Sequence, residues 1–249
     1  MTPYYQDALV TLYLGDCRAV LPALARSVDL IITDPPYSSG GLTRSDRNQT
    51  TRQKYQATDV ANVRPEFSGD NRDQRSYLLW CDLWMRDCLS LATAGTALVS
   101  FIDWRNLPVM IDACQVAGWV YRGLIAWDKT EGARPQLGWF RAQLEYAVLA
   151  TCGPANNDAQ GKASPGLFRY PAPRNRLHAT EKPTALMRDI ISTADRWGTV
   201  LDPFCGSGAT LEAAKLLGRQ AIGIELDERY CELAANRLRQ QTLFSAEAG

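Results

Sequence analysis

The chain has 249 residues, enough for one sizeable α/β core, and its 27 lysines and arginines are matched by 27 aspartates and glutamates. No uninterrupted apolar run is long enough to span a membrane, and the opening Met1-Thr2-Pro3-Tyr4-Tyr5-Gln6-Asp7 lacks the basic start and apolar centre of a secretory signal. Seven scattered cysteines with no Cys-x-x-Cys, and a single histidine (His178), argue against a disulfide framework, a metal site or a Ser–His pair. The expectation is a cytoplasmic enzyme with reduced thiols.

In chain order, the first strand-like run is Leu12–Leu14, followed by Gly15, Asp16 and a helical pattern over Cys17–Ala25. Leu30–Thr33 is a second strand, and Asp34-Pro35-Pro36-Tyr37 ends it abruptly, because proline fixes φ and donates nothing to a sheet ladder. The residue before each proline is also kept out of the helical region, so a carboxylate and an aromatic ring flank a stiff turn. Such a turn suits a flat, amine-bearing ring that stacks on the aromatic and donates to the carboxylate. From 38 to 76 the chain is polar and rich in Arg, Gln, Asn and Asp. A connection that long, attached to the Pro-Pro turn, reads as a mobile cover over a site.

Tyr77, Trp80, Cys81, Trp84, Cys88 and Leu91 then recur at helical spacing, with Trp80 and Trp84 expected as core packing. Strand Ala97–Ile102, a helix from Leu107 to Ala117 stopped by Gly118, and strands Gly123–Trp127 and Tyr146–Ala150 follow, Trp127 again reading as core. Cys152–Ala179 contains Pro154, Pro165, Pro171 and Pro173 and little periodicity. A helix opens at Pro183 and reaches Trp197 before Gly198. Beyond it lie strand Val200–Leu201, a helix from Ala209 to Leu217 capped by Gly218, strand Ala221–Ile224 and a last helix from Asp227 through Leu238. Strands alternating with helices predict an α/β fold with a mostly parallel sheet covered on both faces, in a single domain.

Leu201-Asp202-Pro203-Phe204-Cys205-Gly206-Ser207-Gly208 lies between a strand and a helix, the setting in which a glycine turn binds ligands. Gly206 and Gly208 permit positive φ and close backbone approach, and the helix start beyond them favours electronegative atoms. The dinucleotide pattern G-x-G-x-x-G is not met, because Leu211 stands where the third glycine belongs, so a dehydrogenase is disfavoured. Cys205 has no histidine near it in sequence and is rejected as a nucleophile. Glu225 ends the next strand, where an acid commonly accepts from ribose hydroxyls. Asp16 occupies a similar place and either accepts from an adenine amine or caps the helix after it. Zero net charge argues against a nucleic-acid partner, but Arg44, Arg47, Arg52 and Lys54 cluster, as do Lys162, Arg169, Arg174, Arg176, Lys182 and Arg188.

Together these motifs resemble the DNA amino-methyltransferases of the permuted, or beta, group, in which Asp-Pro-Pro-Tyr precedes the glycine turn, and in particular the N6-adenine type. Asp70–Arg75, Trp127–Pro135 and Phe140-Arg141-Ala142-Gln143 are similar to small stand-alone enzymes of this kind carried by phages and prophages. The resemblance covers nearly the whole chain. It implies a Rossmann-like fold with a seven-stranded sheet containing one antiparallel strand, and S-adenosylmethionine as cofactor. It implies Asp34, Pro35, Pro36 and Tyr37 as the catalytic motif. Asp16, Asp34, Lys182-Pro183-Thr184, Asp202, Pro203, Phe204, Gly206, Ser207, Gly208 and Glu225 would contact the cofactor. Double-stranded DNA is the implied partner, met by Arg44, Arg52, Arg134, Phe140, Arg141, Arg174 and Arg176, with Phe140 as a second wall for an extruded base. The short segment 152–179 would read the target sequence. Such enzymes often dimerise, and no nuclease-like segment is left in the chain once the motifs are placed. Aspartate at the head of the motif is typical of adenine enzymes, serine of those acting on the cytosine amine. Cytosine N4 methylation and a catalytically silent DNA-binding regulator are the alternatives.

Overall fold

The computed structural model describes residues 1–25, 27–38, 72–133, 137–155, 163–173, 181–193 and 198–246, with side chains described as far as residue 240. In chain order the elements are β1 (Tyr5–Gln6), β2 (Val10–Leu14), α1 (Cys17–Val20), a 3-10 turn (Leu21–Ala23), β3 (Val28–Thr33), α2 (Gln74–Ser90), β4 (Ala92–Ile102), α3 (Leu107–Val116), β5 (Val120–Asp128), β6 (Leu144–Thr151), β7 (Leu167–Arg169), α4 (Thr184–Ile191), β8 (Thr199–Asp202), α5 (Ala209–Leu216), β9 (Gln220–Glu225) and α6 (Glu228–Ala246). They build one sheet in the order β1-β2-β9-β8-β3-β4-β6-β5-β7.

The central strands are apolar on both faces because both are covered. Leu30, Ile32, Val99, Phe101 and Val200 pack with α4, α5 and α6, whereas Ile31, Leu98, Ile102 and Leu201 pack with α2 and α3. This is the two-residue alternation of a strand inserted between two helix layers, and it explains why β3 reads as a continuous apolar run. β2, β9, β8, β3 and β4 are mutually parallel, and β6 runs antiparallel between β4 and β5.

The expected seven strands are all present, but among the described residues the sheet has nine. β1, two residues long, adds a second antiparallel strand beside β2, and β7, three residues long, pairs parallel with β5. Neither is long enough to display a period, so each depends on its neighbour. The β1–β2 turn is closed by Asp7, which accepts from the N–H groups of Leu9 and Val10. β7 also means that the 152–179 segment is not structureless throughout. The helix expected over Cys17–Ala25 stops at Val20, because Pro22 cannot donate to an α-helical ladder and the chain tightens into the 3-10 turn. α2 begins at Gln74, with Asp73 accepting from Arg75 and Ser76, so the preceding connection ends before 76. α4 ends at Ile191, and Ala194 and Trp197 lie outside the described residues. No described helix is long and apolar enough to cross a membrane.

Candidate active site

Because β2, β3, β8 and β9 are parallel, their carboxyl ends share one edge of the sheet, and with them Asp16, Asp34, Asp202 and Glu225. β6 runs the other way, so its first residues, Leu144 and Glu145, reach the same edge. β3 and β8 are neighbours from which the chain departs in opposite directions, toward β4 and toward β9. Ligands in open α/β sheets bind in the crevice at such a switch point.

On one side of that crevice is a cluster of opposite charges. Lys182 Nζ donates to Asp34 Oδ2 at 2.7 Å and to the Tyr37 hydroxyl at 2.8 Å, and lies 3.2 Å from Glu145 Oε2. The Tyr37 hydroxyl donates to Asp34 Oδ1 and stands 3.3 Å from Glu145 Oε2. Lys129 holds the other Glu145 oxygen at 3.1 Å. The rings of Tyr37, Phe101 and Trp127 surround the Lys182 ammonium at 5.2, 5.2 and 5.7 Å. Burial, reinforced by the Glu145 charge and opposed by Lys182, raises the Asp34 carboxyl above its ordinary range. Burial acts the same way on Glu145, but Lys182 and Lys129 outweigh it and hold that carboxyl at about 2. For Lys182 burial alone would favour the neutral amine, yet Asp34 and Glu145 reverse the balance and keep it charged. Asn106 fixes the turn from outside by donating to the Tyr37 carbonyl at 2.8 Å.

Across the crevice lies the glycine turn, joined to β3 by the Thr33 hydroxyl, which donates to Asp202 Oδ1 at 2.6 Å. Gly206 and Gly208 have φ of 51° and 82°, and α5 starts at the next residue. Glu225 accepts from Gly206 N at 2.9 Å and from Asp227 N at 2.8 Å, so it ties the turn to the end of β9. Arg237 of α6 donates to the Ser207 carbonyl at 3.0 Å and pairs with Glu181, joining the turn to the segment that carries Lys182. Pro183 caps α4, and the Thr184 hydroxyl donates to Glu212 of α5 at 2.7 Å. Pro203 is buried, and Phe204 lies against Trp80 and Trp84, ring centroids at 5.4 and 5.3 Å. Trp84 is core as expected, whereas Trp80 is only partly buried, with Arg72 over its ring at 4.4 Å. Cys205 is buried and its thiol is raised well above the ordinary value, in keeping with its rejection as a nucleophile.

The structure therefore brings together Asp34, Pro35, Pro36, Tyr37, Lys182 and the glycine turn. It places the Lys182 ammonium on the Asp34 carboxylate, on the side of the crevice formed by the Pro-Pro turn. Asp16 is exposed and accepts from Arg18 N at 2.9 Å, which is the capping reading. Trp127 is core, its indole N–H donating to the Tyr170 carbonyl at 2.8 Å. Phe140 is exposed at the β5–β6 hairpin tip, edge-on to Trp139, and Arg141 donates to the Glu131 carbonyl. Arg44, Arg52, Arg134, Arg174 and Arg176 lie outside the described residues. Sequence reasoning missed Glu145, Lys129, Asn106 and Thr33. Only Glu145 had a visible signal, an acid opening an apolar antiparallel strand.

Asp202 carries a testable consequence. Burial pushes its carboxyl up to about 6, although Thr210, Thr33 and the Phe204 N–H stabilise its anion. A folded-state value above the unfolded one contributes stability that is complete below the unfolded pKa and lost as pH rises through about 6. Asp202→Asn removes that titration. Between pH 5 and pH 8 the fall in urea-unfolding free energy is then expected to shrink by about 1.5 kcal/mol. An unchanged pH dependence would show that Asp202 titrates normally.

A DNA methylase family model matches residues 28–236. The chain belongs to the N6/N4 DNA methylase family. A putative methylase of Escherichia coli K12, YubD, is 30% identical over 90% of this chain and 88% of its own length. The type II methyltransferase M.HinfI of Haemophilus influenzae is 27% identical over 94% of this chain and 69% of its own. Among solved structures, the M1.HpyAVI–SAM complex aligns with a TM-score of 0.66 at 24% identity, over 92% of this chain and all of that one. The cytosine-N4-specific PvuII DNA methyltransferase aligns with a TM-score of 0.70 at 15% identity, over 94% and 88%. Both confirm the α/β fold with its mostly parallel sheet. DNA methylases of this family use S-adenosylmethionine, and the residues here fit it. Gly208 lacks the Cβ that would strike Ala234 of α6, which lets α6 pack directly on the glycine turn at the start of α5, and an acid stands at the neighbouring strand end.

Proposed function

We propose that the chain transfers a methyl group from S-adenosylmethionine to the exocyclic N6 amine of adenine in double-stranded DNA, the base being turned out of the duplex into the crevice. The observation that carries this reading is Asp34, a buried-side carboxylate at the end of β3, held by Lys182 and Tyr37 and facing the glycine turn through the Thr33–Asp202 bond. Adenine rests on the aspartate that opens the motif, since the resemblance associates serine with the cytosine amine.

An aromatic amine is a weak nucleophile because its lone pair is delocalised into the ring. Asp34 and the Pro35 carbonyl accept its two hydrogens and draw the nitrogen toward tetrahedral geometry, which frees the lone pair. As the N–C bond forms the nitrogen loses a proton, and the raised Asp34 carboxyl is suited to take it. The acceleration is mainly positioning and preorganised electrostatics. The cofactor, when bound, would supply an electrophilic methyl on a sulfonium sulfur, the carbon–sulfur bond breaking as the N–C bond forms and a neutral thioether leaving. Asp202, Pro203, Phe204, Gly206, Ser207 and Gly208 would hold its methionine part, Glu225 would accept from the ribose, and Asp16, whose Oδ1 caps α1, would accept from its adenine through the other oxygen. Pro183 and Thr184 flank the same pocket.

Pro36 keeps the turn stiff, and Tyr37 offers its ring to the base. Extruding the base costs a few kcal/mol, of which stacking returns about 1–3 kcal/mol. Phe140 and Arg141 contact DNA from the hairpin tip, and the segment around β7 reads the target. Trp139 and Phe140 are 72% and 83% exposed, so their loss does not disturb the core. Replacing both with alanine is expected to weaken DNA binding about tenfold, with thermal stability and cofactor affinity unchanged. Undiminished DNA binding in a filter or anisotropy assay would remove the tip from the interface.

The test of the function is product analysis. Unmethylated duplex DNA is incubated with methyl-labelled S-adenosylmethionine, digested to nucleosides and analysed by mass. N6-methyldeoxyadenosine is expected. N4-methyldeoxycytidine would overturn adenine, and no label in DNA would overturn both.

A further inference from the structure

Two hydrogen-bond donors in the cluster are each within reach of two carboxylates. The Tyr37 hydroxyl is bonded to Asp34 with Glu145 at 3.3 Å, and the Lys182 ammonium is 2.7 Å from Asp34 and 3.2 Å from Glu145. A hydroxyl has one proton and serves one carboxylate at a time. We infer that Asp34 and Glu145 work as an exchange pair: an amine arriving at Asp34 displaces these two donors, and Glu145 receives them. Glu145 is thus a positioning residue for the transfer. The inference rests on the reading that Asp34 accepts from the substrate amine.

The surroundings of Lys182 make a second acceptor necessary. Its side chain is 2% exposed and enclosed by three aromatic rings, so an ammonium released by Asp34 has no water to turn to. An unpaired buried charge costs several kcal/mol, and without a replacement for Asp34 that cost would fall on seating the amine at Asp34, after the duplex is bound, and so on kcat. Glu145 replaces it without moving far, since Lys129 anchors its other oxygen and β6 fixes its backbone. The hydroxyl, too, has its next acceptor in place. Among the described residues, the charged and titratable groups facing Asp34 are Tyr37 in its own turn, Lys182 before α4, Glu145 on β6 and Asp202 on β8, with Lys129 behind Glu145 and Asp103 beyond Tyr37.

The test is Glu145→Gln, with Glu145→Asp as the conservative partner, measured on the full chain. In Glu145→Gln, kcat is expected to fall at least about tenfold, the scale of one lost charged hydrogen bond, while cofactor and DNA affinities stay within about twofold. The acid limb of the rate profile moves to lower pH, because a negative charge that opposed ionisation of Asp34 is gone. Glu145→Asp keeps the charge, so its acid limb stays where the wild type has it and part of kcat returns. Wild-type kcat with an unmoved acid limb in Glu145→Gln would overturn the exchange. So would loss of activity in both variants alongside equal losses of cofactor affinity and thermal midpoint, since that is the pattern of a structural residue. If the wild type methylates no amine, the proposed function fails instead; an active wild type with an indifferent Glu145→Gln defeats only the exchange.

Discussion

Asp34→Asn is expected to lower methyl transfer about a thousandfold while cofactor and DNA affinities remain near wild type. Asparagine fits the same space, so the Pro-Pro turn and the Asn106 contact to its far end survive. Its chemistry is wrong in two respects. One oxygen becomes an NH₂ group, which faces the substrate amine donor to donor. The negative charge that stabilises positive charge building on the nitrogen is also lost, in a partly enclosed site where such charges act strongly. Lys182 keeps Glu145 as its remaining carboxylate, so the fold is not left with an unpaired ammonium. Single-turnover transfer, beside calorimetric cofactor binding, reads both halves of the prediction. Activity within tenfold of wild type would remove Asp34 from the chemistry.

The second large effect is expected at Gly208. Its φ of 82° is left-handed, and a Cβ there would lie 2.9 Å from the Ala234 Cβ and 3.2 Å from its Cα. The neighbour is helix backbone, which cannot swing aside. Left-handed strain of about 1–2 kcal/mol adds to overpacking of similar size, so Gly208→Ala should destabilise by about 2–4 kcal/mol. Relief requires the first turn of α5 to shift, which disturbs the proposed cofactor cradle and should weaken cofactor binding at least about tenfold. Gly218→Ala is the matching control. Its φ of 67° is also left-handed, but a Cβ there meets nothing within 4 Å. It should cost about 1 kcal/mol and leave cofactor affinity alone. Equal effects of the two substitutions on affinity would refute the cradle argument.

Much of the fold was legible because its signals are local. β3, β4, β8 and β9 are apolar runs bounded by turn residues. Gly118 and Gly218, with φ of 97° and 67°, stop α3 and α5 where the pattern predicted. Local signals failed where an element exists only through a partner. β1 and β7 form because β2 and β5 offer free edges, and α1 is cut short by Pro22 despite its apolar spacing. The Asp-Pro-Pro-Tyr and glycine turns were likewise visible as residue strings at strand ends, as was their permuted order.

From the residues alone came the identity and order of the two turns, the acid after each parallel strand and the family they resemble. These rest on backbone rules that act over a few residues, chiefly the rigidity of proline and the left-handed freedom of glycine. Folding alone decided which side chains the charges meet. Lys182 reads from its motif as a cofactor ligand, yet its ammonium lies on Asp34, 148 positions away in the chain. Glu145 joins them only because an antiparallel strand starts at the edge where the parallel strands end. Electrostatic partnership is set by distance and burial in space, and neither can be read from spacing along a chain.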